Sequence, residues 1–161
     1  MDNDLTFSKH VKEQVSRANR SLGLIRRSYQ FLNRESMKLL FTALIRPHLE
    51  FGYVAWAPRY QKDILLIEDV LRRATKIVLG LTDLKYSERY KCMNLPSMKY
   101  RQEMGDMIET YKYTHGLYNA NNNLLERDAE STTRGHKYKL KKSRCYTSLH
   151  QHFFSFRVVD S

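Results

Sequence analysis

Apolar residues recur at steps of three and four through Phe7, Val11, Val15, Ala18, Leu22, Ile25, Tyr29 and Leu32. Such steps hold side chains on one helical face, so the pattern predicts a helix of about seven turns. Its other faces carry Lys9, Lys12, Arg17, Arg20, Arg26 and Arg27. A second helix is expected after Asn33, whose side chain can accept an unpaired first-turn amide, with Glu35 where the helix dipole favours an acid. Its buried stripe reads Met37, Leu40, Phe41, Leu44 and Ile45. Pro47 lacks an amide hydrogen and its ring crowds the carbonyl of Ala43, so this helix must kink or end there, giving a bent or two-piece helix running to Pro58. The stretch "LIRPHLEFGYVAWAP", 44–58, is largely apolar and holds the chain's only Trp, which marks Leu44, Pro47 and Trp56 as a packing centre.

A third helix is expected after Asp63, with Ile64, Ile67, Leu71, Ala74, Ile77 or Val78 and Leu81 inward, Arg72, Arg73 and Lys76 opposite, and Gly80 as stop signal. A short helix over Ser87 to Met93 follows. Pro96 then breaks the chain and Ser97 caps a longer helix to about His115, with Tyr100, Met104, Met107 or Ile108, Tyr111 and His115 as its inner face. The stretch "LYNANNNLLERDAESTTRGH" places four Asn in five positions and reads as a surface loop or linker. Beyond it, Lys alternates with Tyr and Leu at period two, which predicts a short two-stranded ribbon. The fold class expected is mainly α, an antiparallel helical bundle of four to five helices with a short C-terminal β-ribbon. The organisation expected is a helical bundle over 1–117, an Asn-rich loop over 118–133 and a basic connector over 134–161.

Composition adds a partner class. The 161 residues, 42% apolar and 12% aromatic, suffice for a folded core without disulfides. Cys92 and Cys145 lie far apart and neither belongs to a CxxC pair, which fits a reducing, intracellular setting. The opening residues carry no basic stretch followed by an apolar core, so neither secretion nor a membrane partner is expected. Lys and Arg number 28 against 17 acids, a net +11 that attracts polyanions, nucleic acid first.

Two-metal phosphodiester chemistry requires several carboxylates held together, and the pattern offers none. Glu68 and Asp69 are helical neighbours and diverge, and Asp106 and Glu109 have cations nearby. Cys145, His150 and His152 lack a fourth zinc ligand, and no glycine loop suits a phosphate. Cations on helices remain. Arg17, Arg20 and Arg27 recur at three and seven, and "RRATK" groups Arg72, Arg73 and Lys76 within about one turn, as phosphate-backbone contact requires. In the tail, Arg134, Lys137, Lys139, Lys141 and Lys142 interleave with Tyr138 and Leu140, ahead of Tyr146, Phe153, Phe154 and Phe156. Cations between stacking surfaces suit a single strand, with Phe153 and Phe154 better placed to seal the ribbon.

The blocks "SLGLIRRSYQFL", "LIRPHLEFGYVAWAP", "LIEDVLRRATKIVLGL", "NLPSMKYRQEMGDMIETYK", "TRGH" and "FFSFRVV", in this order and spacing, resemble the region downstream of the palm in reverse transcriptases of non-LTR retrotransposons, the jockey-like LINE class. The resemblance extends from Leu5 to Val159. It implies a helical thumb followed by a connector, gripping an RNA template and DNA primer inside a nuclear or cytoplasmic ribonucleoprotein. It also implies a fragment of an RNA-directed DNA polymerase that is not catalytic alone. The paired catalytic aspartates, and the magnesium they would hold, belong to an upstream palm, so no cofactor is expected in this chain. Arg46, Pro47, His48, Glu50, Trp56 and Pro58 match the family's most recognisable block, with His48 and Glu50 expected to satisfy the helix broken at Pro47. A standalone helical scaffold, its basic surface serving solubility, is the alternative.

Overall fold

The computed structural model describes residues 7–118, 124–125, 139–141, 144–147 and 150–159, which are mainly helical. The chain divides into two compact units, Met1–Gln102 and Glu103–Ser161.

In the first unit, α1 (Ser8–Ser28) buries Val11, Val15, Ala18, Leu22 and Ile25, the predicted stripe. It is shorter than expected, because Tyr29 turns extended and exposed while its amide caps Ile25. Asn33 then caps α2 (Arg34–Leu40), accepting from the Ser36 amide at 2.7 Å. A π-helical turn, Phe41–Ile45, joins α2 to α3 (Arg46–Glu50). The buried positions of this limb are Met37, Phe41, Ile45 and Leu49, spaced by four. In a regular helix a spacing of four drifts around the axis, and the wider π turn cancels that drift.

The π turn corrects the expectation for the 44–58 block. Leu44 is 50% exposed and Pro47 is also exposed, so neither belongs to the core; Trp56 does, at 5% exposure. The amide of Arg46 reaches back five residues to the Phe41 carbonyl, a pattern that widens the helix just before Pro47 and lets the limb continue through the proline to Glu50. Gly52, at φ 65, supplies the left-handed turn into α4 (Tyr53–Trp56).

α5 (Gln61–Lys76) buries Asp63, Ile67, Val70, Leu71, Ala74 and Thr75. Ser8 donates to Asp63 at 2.6 Å and Arg73 to Asn19 at 3.3 Å, so α1 and α5 run parallel and in register. The 34–56 limb makes the return run. It starts where the Leu79 amide meets the Leu32 carbonyl and ends where Trp56 meets His10 near the start of α1, ring centroids 5.1 Å apart. α6 (Tyr86–Cys92) packs on α5, and Arg89, almost fully buried, donates to Thr75 and to the Leu84 carbonyl. Glu68 accepts from the Tyr86 hydroxyl and from the Met98 amide that opens α7 (Met98–Thr114). Ser97 caps α7 as expected, accepting from the Tyr100 amide.

α7 itself overturns an expectation. Tyr100, Met107, Ile108, Tyr111 and His115, read as its inner face, are exposed, while Met98, Gln102 and Thr114 are buried. In the second unit the polar side of α7 turns inward. Asp106 receives Arg157 of α8 (Phe154–Val159) in a two-pronged pair at 2.7 Å, and Tyr113 approaches the buried Phe154. The chain is thus helical over Phe154–Val159 where a ribbon was expected. Among the described residues of 134–159 no strand forms beyond a lone bridge position at Leu140. The Asn-rich stretch lies almost entirely outside the described residues.

Candidate nucleic-acid interface

The amphipathic pattern that buries one side of α1 leaves its cations outside. Lys9, Lys12, Arg17, Arg20, Arg26 and Arg27 are all exposed, and Glu13 is the one acid of this helix. Residues seven apart on a helix sit two turns apart and nearly in line. Lys12, Asn19 and Arg26 make one such line. On α5, Lys62 and Arg73 are three turns apart and also share a line. The Arg73–Asn19 bond sets these two lines against each other. The seam between the parallel helices is therefore bordered by Lys12 and Arg26 on one side and Lys62 and Arg73 on the other.

The predicted cluster is split by this arrangement. Arg26 and Arg73 border the seam, while Arg17, Arg20 and Arg27 stand on the outer side of α1. Lys76 is exposed one turn beyond Arg73. Arg72 turns the other way, paired with Asp69 at 2.8 Å and lying over the Tyr86 ring at 5.2 Å. It braces α6 rather than extending the basic line. Lys12 and Lys62 were not singled out from sequence, because their value comes from the partner helix. The only sequence signal that finds them is the seven- and eleven-residue spacing read across two helices at once.

In the second unit Lys139 and Lys141 are exposed, and Tyr146 is 85% exposed. Arg134, Lys137 and Lys142 lie outside the described residues. Phe154 is buried, while Phe153 is 38% exposed, so the sealing role expected for both falls on one.

The carboxylates engage neighbours instead of one another. Glu50 takes Arg101 through two bonds of 3.1 Å, with Arg46 at 3.9 Å. Glu50 thereby ties α3 to the start of α7, rather than satisfying the helix at Pro47 as expected. The bond to Glu50 holds the Arg101 guanidinium above its ordinary range, against the opposing effect of burial. Burial alone would raise Glu109, but hydrogen bonds from Lys112 and Tyr118 outweigh it and lower its carboxyl. Burial, reinforced by the bond to Glu68, pushes the Tyr86 phenol far up. Each shift follows from a structural contact, and none marks an exposed reactive group. Among the described residues no three His, Cys, Asp or Glu side chains form a group able to hold a metal. None of the helices described is long and apolar enough to cross a membrane.

Comparison with protein families, with curated proteins and with solved structures gave no match.

Proposed function

We propose that this chain is the thumb and connector region of a non-LTR retrotransposon reverse transcriptase, holding RNA template and DNA primer without carrying the polymerising chemistry. The six sequence blocks named above support the family. The observation that carries nucleic-acid contact is the α1–α5 seam, where Lys12, Arg26, Lys62 and Arg73 border two parallel helices. Aligned cations of this kind match a phosphate backbone, which is contacted without regard to sequence. Magnesium and the acids that hold it belong, on this reading, to the palm of the same polymerase, within an intracellular ribonucleoprotein.

The test is binding of the purified chain to a labelled RNA/DNA hybrid by fluorescence anisotropy across salt. Affinity should fall by orders of magnitude between ~50 and ~200 mM salt. Arg26→Ala and Lys62→Ala should each flatten the salt dependence by about one unit of slope if each meets a phosphate. An affinity indifferent to salt, or slopes unchanged in both variants, refutes the reading. The alternative, a helical interaction module, is favoured by one observation, the outward apolar face of α7.

A further inference from the structure

At its C-terminal end the α1–α5 seam runs out onto two exposed rings. After Ser28 the chain leaves α1 and stays non-helical until Asn33 caps α2. Tyr29 is extended in backbone and 48% exposed, and Phe31 is 78% exposed. Leu32, next in the chain, is buried and anchors the segment. The bond from the Leu79 amide to the Leu32 carbonyl holds it against the chain just past α5, where Leu79 is exposed as well. Rings held in water by an anchored backbone gain burial, at little further cost in order, from any flat apolar surface laid on them.

The charge around these rings has one sign. From Arg26 to Arg34 there are three arginines and no acid, and from Val70 to Thr82 three further cations and no acid. Arg26, Arg27 and Lys76 are exposed in the last turns of α1 and α5, where they offset the partial negative charge of the two helix ends. Phosphate is thereby favoured along the seam, between Arg26 and Arg73, and the uncharged part of a nucleotide at the rings. Gln30, exposed between Tyr29 and Phe31, carries an amide that both donates and accepts, as the edges of bases do.

We propose that Tyr29 and Phe31 stack the bases of an unpaired nucleic-acid strand where it leaves the α1–α5 seam. The stacking site rests on the phosphate-binding reading of the seam and adds the state of the strand at this end. Paired bases are covered by their neighbours, so an unpaired strand is what offers free faces to exposed rings. An anionic lipid surface would meet the same cations. Cations aligned along two helices and leading to rings separated by an amide match a strand, whose charges and stacking faces alternate, better than a plane of headgroups.

Fluorescence anisotropy of the full chain with three labelled RNA/DNA hybrids tests the site: one blunt, one with short unpaired extensions, and one whose extensions keep their phosphates but lack their bases. The extensions with bases should bind about tenfold more tightly than the abasic ones, the scale of one stacked base. This ratio should persist at high salt, because the two ligands carry the same charge. Phe31→Ala should bring the ratio to one and Phe31→Trp should keep it, with unchanged far-ultraviolet circular dichroism because Phe31 is exposed. Phe51→Ala should leave the ratio alone, since Phe51 is equally exposed but lies beside Trp56 at the opposite end of α1. Salt-dependent binding of the blunt hybrid with no gain from the bases overturns the stacking site and leaves the seam reading standing, whereas failure of all three ligands to bind overturns both. A gain indifferent to Phe31→Ala overturns the assignment to these rings. Phe31-dependent binding to phosphatidylserine/phosphatidylcholine vesicles, with no gain from the bases, gives the rings to a membrane surface and overturns the site too.

Discussion

Truncating Trp56 to alanine should be the most damaging single change in the first unit. The side chain is 5% exposed and forms the contact at which the 34–56 limb closes on the start of α1. Removing a buried aromatic costs ~3 to 5 kcal/mol, through lost transfer energy and the cavity left behind. Two further features make the site specific for Trp. Its Nε1 donates to the Phe51 carbonyl at 2.6 Å, and its ring meets His10 and Tyr53 edge-on at 5.1 and 5.4 Å. Trp56→Phe keeps most of the volume but withdraws the donor, which costs about 1 to 2 kcal/mol for the bond and the carbonyl left without it. Alanine should therefore destabilise more than phenylalanine. Urea unfolding followed by circular dichroism measures both, since the intrinsic fluorescence of the sole Trp is lost in each variant. A loss below ~1 kcal/mol for Trp56→Ala refutes the claim that this residue locks the limb.

The π turn supplies a second prediction: Ile45→Ala should cost ~2 to 5 kcal/mol in urea unfolding, whereas Leu44→Ala, at a half-exposed position, should cost well under half as much. Equal costs would mean that the limb is a regular helix. Tyr86 supplies a third. Its phenol is raised in the fold, while in the unfolded chain it ionises near about 10. The unfolded state therefore releases that proton first, and the stability from the Tyr86–Glu68 bond, full below about pH 10, declines as pH rises toward the folded value. Thermal unfolding between neutral and strongly alkaline pH should show this decline, and Tyr86→Phe should lessen it. An identical pH profile in the variant counts against the assignment.

Local signals were legible where local physics decides them. The stripe of α1 from Val11 to Ile25 and the caps at Asn33 and Ser97 follow from spacing and from side chains that reach their own backbone. Arg72 and Arg73 show where such reading stops. Adjacent residues on a helix diverge; Arg72 finds Asp69 one turn back on its own helix, but only the packing of α6 on one side and α1 on the other brings Tyr86 to Arg72 and Asn19 to Arg73. The seam was half visible for the same reason, since Lys12 and Lys62 gain their setting from the opposite helix. Glu50 likewise finds Arg101, which is remote in sequence.

By itself the amino-acid order determined a basic, helix-rich chain, where most helices start, and that the 44–58 block holds a buried Trp. Tertiary structure decided which side of two helices faces in. At Phe41–Ile45 a π turn kept Ile45 and Leu49 under α1 and moved Leu44 out. In α7 the Asp106–Arg157 pair and the Phe154 contact drew the polar side inward and left the apolar side outside. Periodicity measures only that a helix has two unlike faces. What each face meets is set by the surface packed opposite, and that surface comes from parts of the chain far away in sequence.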